Sequence, residues 1–144
     1  MAKVTFILGL AGSGKTHLAN ELKANSGAIF LEGIEGPQRD VLLSRMIQYL
    51  KKSKDCVIEE IAYCRANYRE RITAYIRSLV PDAEIEWICY ENDLESANWN
   101  VSNRTNKSAI DEHLAINKRY HSLYTYPKAK MVVPITRVPA RKAP

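Results

Sequence analysis

The amino-acid sequence predicts a three-layer α/β domain: a doubly wound parallel sheet of about five strands with helices on both faces. Three observations carry this prediction. Short apolar runs alternate along the chain with longer segments of helical periodicity, the order that yields parallel strands joined by helical crossovers. The apolar runs are short and nearly continuous, as strands buried on both faces require. Glycine and proline mark the boundaries between segments.

Each element has its own reason. Lys3–Leu10 is rich in Val, Phe and Ile, is bounded by Gly9 and Gly12, and reads as a buried strand. Lys15–Asn25 carries Leu18, Ala19 and Leu22 on one side and reads as a helix that Gly27 ends. Ala28–Leu31 is a second strand, and Gly33, Gly36 and Pro37 mark the loop after it. Asp40–Lys52 has Leu42, Leu43, Met46, Ile47 and Leu50 at helical spacing. Cys56–Ile58 is a third strand, closing on Glu59 and Glu60. Arg65–Val80 lines up Tyr68, Ile72, Ile76 and Leu79 on one face, and Pro81 stops it. Glu84–Tyr90 is a fourth strand. Asp93–Arg104 and Ser108–Tyr124 read as helices with the polar break Thr105-Asn106-Lys107 between them, Lys130–Ile135 as a fifth strand, and Arg137–Pro144 as a basic tail. No internal repeat or domain boundary interrupts residues 1–144, so one domain is expected.

The chain has 144 residues, 46% hydrophobic and 26% charged, ample for one core. No apolar run approaches the roughly 20 residues a bilayer span needs, and no signal-peptide pattern opens the chain. A cytoplasmic monomer without membrane attachment is expected. Three cysteines, Cys56, Cys64 and Cys89, form no C-x-x-C pair; Cys56 and Cys89 lie in apolar strand-like runs and read as small buried hydrophobes, while Cys64 is a lone thiol, a weak candidate for catalysis without a His or Asp motif nearby. The net charge of +5 is uneven. Residues 1–99 hold 12 Lys or Arg against 14 Asp or Glu, whereas residues 100–144 hold 9 against 2. A cationic last third suggests a polyanionic partner such as nucleic acid or a nucleotide.

The most specific motif is Gly9-Leu10-Ala11-Gly12-Ser13-Gly14-Lys15-Thr16, which fits G-x-x-x-x-G-K-[ST] between an apolar strand and a helix. Glycines let phosphate oxygens approach the backbone, successive N–H groups form an anion nest at a helix N-terminus, Lys15 reaches the β- and γ-phosphates, and the Thr16 hydroxyl ligates Mg²⁺. The expected ligands are ATP and Mg²⁺. The nucleotide-binding set is Gly9, Ala11, Gly12, Ser13, Gly14, Lys15, Thr16 and, next along the helix surface, His17. No Asn/Thr-Lys-x-Asp guanine motif accompanies the loop. Glu59 and Glu60 end the third strand, where ligands meet an open α/β sheet. Glu59, directly after Ile58, is the expected acid for the metal's water shell. Glu32 and Glu35 follow the second strand; either is placed to take the proton of an acceptor hydroxyl.

Beyond the loop, Gly9–Thr16, the acidic end of the third strand, Asn98–Arg104 and Tyr124–Pro127 occur in an order that resembles the polynucleotide-kinase-like branch of phosphate-loop kinases. That branch also includes small ATP-binding proteins and relatives of zeta-toxin kinases. The resemblance spans nearly the whole chain; the Asp-x-Asn usual after the third strand stands here as Glu59-Glu60-Ile61-Ala62. It implies a phosphate-loop kinase fold with a lid around residues 93–124. It also implies that Arg104 is the catalytic lid arginine that meets charge on the transferring phosphoryl group, with Lys107 assisting. Arg65 and Arg69 stand where they could meet an acceptor, and Trp99 and Tyr120 are aromatics that could stack on adenine or belong to the core. The implied activity is transfer of the ATP γ-phosphoryl group to a hydroxyl, with a nucleic-acid 5′-end or nucleotide as acceptor. The rivals are a small-metabolite kinase of the shikimate or gluconate type and a nucleotide-binding regulatory module with little turnover.

Overall fold

Alternation within the first strand, β1 (Lys3–Leu8), decides how the sheet is covered. Val4, Phe6 and Leu8 pack into one apolar cluster and Ile7 into another, and all four are fully buried, so each face needs a helical layer. The computed structural model describes residues 1–104, 107, 109–128 and 130–140. Within them the chain runs β1, α1 (Lys15–Ser26), β2 (Ile29–Glu32), α2 (Arg39–Lys51), β3 (Cys56–Glu59), a 3₁₀ turn (Ile61–Cys64), α3 (Ala66–Leu79), β4 (Glu84–Tyr90), α4 (Leu94–Ser102), α5 (Ile110–Leu123) and β5 (Met131–Val133). The five strands form one parallel sheet in the order β2-β3-β1-β4-β5. The expected three-layer fold is the observed one.

Helices α2 and α3 supply Leu43, Met46, Ile47, Leu50, Ile72 and Ile76 to one cluster. Helices α1 and α4 supply Ala19 and Ala97 to the other. Tyr120 of α5 and Tyr124 after it pack against both, closing the side of the sheet. Phe6 lies at the centre of the larger cluster, its ring 4.6 Å from Trp87 and 5.1 Å from Tyr63 by centroids. Burying a side chain of that size contributes roughly 1.5–3 kcal/mol.

Element ends follow local chemistry. Gly27 (φ +72°) ends α1 and returns its N–H to Lys23. The Asp93 carboxylate caps α4 by accepting the Ser96 N–H at 3.1 Å. The third strand runs one residue further than its apolar run, so Glu59 is strand rather than loop. The turn Ile61–Cys64 has no periodicity to announce it. Arg69, which by sequence could meet an acceptor, is buried instead. Its guanidinium donates to the carbonyls of Tyr63 (2.7 Å) and Thr125 (3.0 Å) and to Thr125 Oγ1 (3.0 Å), tying the 3₁₀ turn to the segment after α5. All three cysteines are buried and unpaired; burial pushes the thiols of Cys56 and Cys64 up to about 12 and that of Cys89 to about 11. Among the described residues no helix is long and apolar enough to cross a membrane.

Candidate functional site

The loop between β1 and α1 has the conformation its glycines dictate. Gly12 (φ +86°) and Gly14 (φ +110°) both occupy the left-handed region. A Cβ on Gly12 would stand 2.5 Å from the Ala97 carbonyl oxygen, so glycine here lets the α4 backbone press against the loop. Gly14 is the N-cap of α1, and no side chain caps the helix end. The Ser13 hydroxyl is buried without a hydrogen-bond partner. An uncapped helix N-terminus, an orphaned donor and an adjacent lysine are the features of an anion cradle.

Lys15, the first residue of α1, is half-buried, and its ammonium donates to the Leu10 carbonyl at 3.0 Å. Burial lowers its pKa, opposed by Glu59, Cys64 and Glu60. Parallel register sets Glu59 beside Ile7 of β1 and Glu32 of β2. The Thr16 hydroxyl then reaches Glu59 Oε1 at 3.3 Å. This pair offers two hard oxygens, and among the described residues no cluster of three or more His, Cys, Asp or Glu could hold a metal. That donor set suits Mg²⁺, which takes one or two protein oxygens and completes its shell with phosphate and water.

Glu60 makes no such pair. Its backbone N–H bonds the Ile7 carbonyl at 3.1 Å. Burial raises its carboxyl pKa, against the backbone N–H groups of Ala62 and Glu35 that stabilise the charge. The two acids after β2 also separate. Glu32 is exposed and lines the cleft. Glu35 is engaged, with Tyr63 Oη donating to Oε2 at 2.7 Å and Arg39 Nε pairing with Oε1 at 3.2 Å.

A cleft of about 1120 Å³ is lined by the loop, Glu32, Glu59 and Glu60 together with Val101, Arg104 and Val138. Arg104 follows α4. Its Nε donates to the Val101 carbonyl at 3.2 Å, and its Nη2 lies 2.6 Å from His113 Nδ1 on α5. Arginine has only donors, so His113 Nδ1 accepts and the ring is neutral. Burial, then Arg104, lowers the His113 pKa. His17 sits at the cleft rim, exposed, with Nε2 3.0 Å from Glu21 Oε1.

Other residues singled out by sequence take structural positions. Trp99 is partly exposed and outside the cleft; its indole N–H donates to the Val138 carbonyl at 2.7 Å. Arg65 lies 5.5 Å from the Tyr68 ring. The described part of the basic tail, residues 137–140, is exposed but tethered: Arg137 donates to Ser96 Oγ at 2.9 Å, and Val138 and Pro139 line the cleft. Thr105, Asn106, Ser108 and residues 141–144 lie outside the described residues. Sequence reasoning missed Tyr90, whose hydroxyl donates to the Gly14 carbonyl at 3.2 Å, and also His113, Asn100 and Asn117. His113 and Asn117 interrupt the otherwise apolar stripe Ile110, Tyr120, Tyr124, and that interruption was the available signal.

No family model and no curated protein matches the sequence. Solved structures do match the fold. A gluconokinase from Sinorhizobium meliloti 1021 superposes with a TM-score of 0.67 at 14% identity, over 94% of this chain and 84% of that one. A fungal RNA kinase gives 0.66 at 14% identity, over 96% and 78%. A structure from the PezAT chromosomal toxin–antitoxin system of Streptococcus pneumoniae gives 0.57 at 12% identity, over 92% and 68%. At these identities the likeness is one of fold, that of small phosphate-loop kinases.

Proposed function

We propose that this chain is a Mg²⁺-ATP-dependent phosphotransferase that moves the γ-phosphoryl group of ATP to a hydroxyl. The observation that carries the reading is the convergence of the loop, Lys15, the Thr16–Glu59 pair and Arg104 on one cleft. Bound Mg²⁺ would supply charge neutralisation between the β- and γ-phosphates. Thr16 and Glu59 are the residues that would hold it and its water. The loop N–H groups orient the phosphates, and Lys15 meets their charge. Arg104 meets the charge that spreads over the phosphoryl oxygens in transit. Glu32, exposed in the cleft, takes the proton of the acceptor hydroxyl, because both Glu35 oxygens are occupied.

A nucleic-acid 5′-end or a nucleotide is the first choice of acceptor. Support comes from a basic and aromatic ridge: Arg65 and Arg71 lie over the Tyr68 ring, Arg119 lies over Tyr120, and Tyr120 feels the charges of Arg65 and Glu60. A polyol is the second choice, favoured by the carboxylates Glu32, Glu59 and Glu60, which repel phosphate but accept hydroxyl protons. The test is labelled ATP and Mg²⁺ with 5′-hydroxyl DNA and RNA, nucleosides and polyols, using the parent chain and Lys15→Ala. Transfer to one class that falls by about 10²–10³ in Lys15→Ala is expected. Equal turnover in the two proteins sinks the reading, and ATP binding without transfer to any acceptor establishes the regulatory-module alternative.

A further inference from the structure

Two asparagine side chains grip the phosphate loop from outside. Asn117 on α5 is fully buried. Its Oδ1 accepts the Ala11 N–H at 2.7 Å, and its Nδ2 donates to the Ala11 carbonyl at 2.9 Å and to Asn98 Oδ1 at 3.1 Å. Asn100 on α4 is 8% exposed. Its Nδ2 donates to the carbonyls of Gly12 at 2.8 Å and Thr136 at 2.9 Å, and its Oδ1 accepts the Val138 N–H at 2.7 Å. Both hydrogens of each amide are used, and each amide oxygen accepts a backbone N–H.

We propose that Asn117 and Asn100 are positioning residues for nucleotide binding, holding the backbone of Ala11 and Gly12 so that the N–H groups from Gly14 onward face phosphate. The inference rests on reading Gly9–Thr16 as a nucleotide loop. An anion nest works only when its N–H groups share one orientation. Gly12 and Gly14 make this stretch conformationally permissive, so contacts from outside add to the bonds that the Ser13 N–H and Lys15 ammonium give the Leu10 carbonyl. Asn117 acts like a short strand segment, pairing with both polar groups of one residue. Because both asparagines stand on α4 and α5, the helices that flank Arg104, any shift of those helices is felt by the loop.

Asparagine is the chemically required residue. An aspartate is nearly isosteric but offers only acceptors when ionised. In Asn117→Asp a carboxylate oxygen would face the Ala11 carbonyl and Asn98 Oδ1 in place of a donor. The loop would lose its grip, and its ordering would fall on ligand binding.

The experiment is calorimetric titration of the full chain with Mg-ATP, which needs no acceptor, alongside melting temperature and steady-state kinetics. Asn117→Asp is expected to bind Mg-ATP about 10- to 100-fold more weakly at pH 8. KM for ATP should rise while kcat moves far less, because loop N–H groups meet phosphate in ground and transition states alike. Affinity should recover as pH falls toward about 5–6, where the buried acid protonates and regains one donor and one acceptor. The parent should show no such recovery. Ile76→Ala, a core truncation on α3, controls for stability: its melting temperature falls while its ATP affinity stays at the parent value. Should Asn117→Asp not fold, Asn98→Ala decides the matter. It removes only the outer partner of the Asn117 amide, and about 2- to 5-fold weaker ATP binding is expected. Parent-like ATP affinity in the variant, or an equal loss in Ile76→Ala, overturns the proposal. A parent chain that binds no ATP sinks the nucleotide reading and the proposal with it.

Discussion

The face of the sheet covered by α2 and α3 and the loop end of the same sheet are held by different chemistry. The first is a continuous apolar cluster that includes Phe6, Met46, Ile58, Tyr63, Ile72 and Ile76, all fully buried. At the loop end, amide side chains bond the backbone of Ala11 and Gly12, and hydrogen bonds at Asn117, Asn100, Tyr90 and Trp99 connect segments up to 106 residues apart. Apolar packing stabilises in proportion to the area buried and tolerates small shifts of partner. Amide hydrogen bonds add little net stability but fix position and direction. The comparison teaches that in this molecule stability and geometry are supplied by separate regions, so substitutions should divide along the same line.

The largest effect expected is on the packed face. Ile76→Ala deletes fully buried methylenes and should cost about 2–5 kcal/mol in urea denaturation, with kcat unchanged while the protein remains folded. A matching fall in kcat would break the division. Next is Arg104→Ala, which should lower kcat by about 10²–10³ and leave ATP affinity and melting temperature nearly in place, since among the described residues its partners are the Val101 carbonyl and His113. Arg104→Lys should recover part of the rate, an ammonium lacking the planar two-point contact.

A smaller effect distinguishes two neighbouring acids. Glu59→Gln should raise the Mg²⁺ needed for half-maximal turnover several-fold, because its carboxylate is the one beside the Thr16 hydroxyl. Glu60→Gln should not, because the Thr16 hydroxyl bonds Glu59 instead. The reverse pattern in an Mg²⁺ titration would assign the metal to Glu60. The smallest effect is His113→Gln. The folded-state pKa of His113 lies below its unfolded value, so the unfolded chain takes up the proton first. The stability linked to the neutral ring is complete above the ordinary imidazole range and is lost as pH falls through the lower folded value. Melting curves between pH 8 and pH 5 should therefore slope less in the glutamine variant than in the parent.

Much of the fold was legible because its signals are local. Apolar runs gave the strands, Gly27 and Pro81 gave two helix ends, and the glycine pattern of residues 9–16 gave the loop. The neighbour of the Thr16 hydroxyl was legible too, since Glu59 follows Ile58 and parallel pairing beside β1 brings it to Thr16. What was not legible depends on distant partners. Glu32 and Glu35 look alike in sequence; only the folded positions of Tyr63 and Arg39 occupy the second. Arg69 reads as a surface charge until the carbonyls that bury it arrive from residues 63 and 125. Asn117 carries no motif, and its partner at Ala11 lies across the whole chain.

That separation has a consequence for the order of events during synthesis. Residues 9–16 are made before the amides that hold them, since Asn100 and Asn117 emerge about ninety and about a hundred residues later. The parallel strands β1 to β3 can pair around an unfinished loop in the meantime, since extra loop length adds only slowly to the entropy of closure. A nascent chain paused before α5 therefore carries the phosphate-loop sequence without the buried amide that grips Ala11, and that grip forms only once α5 has been made.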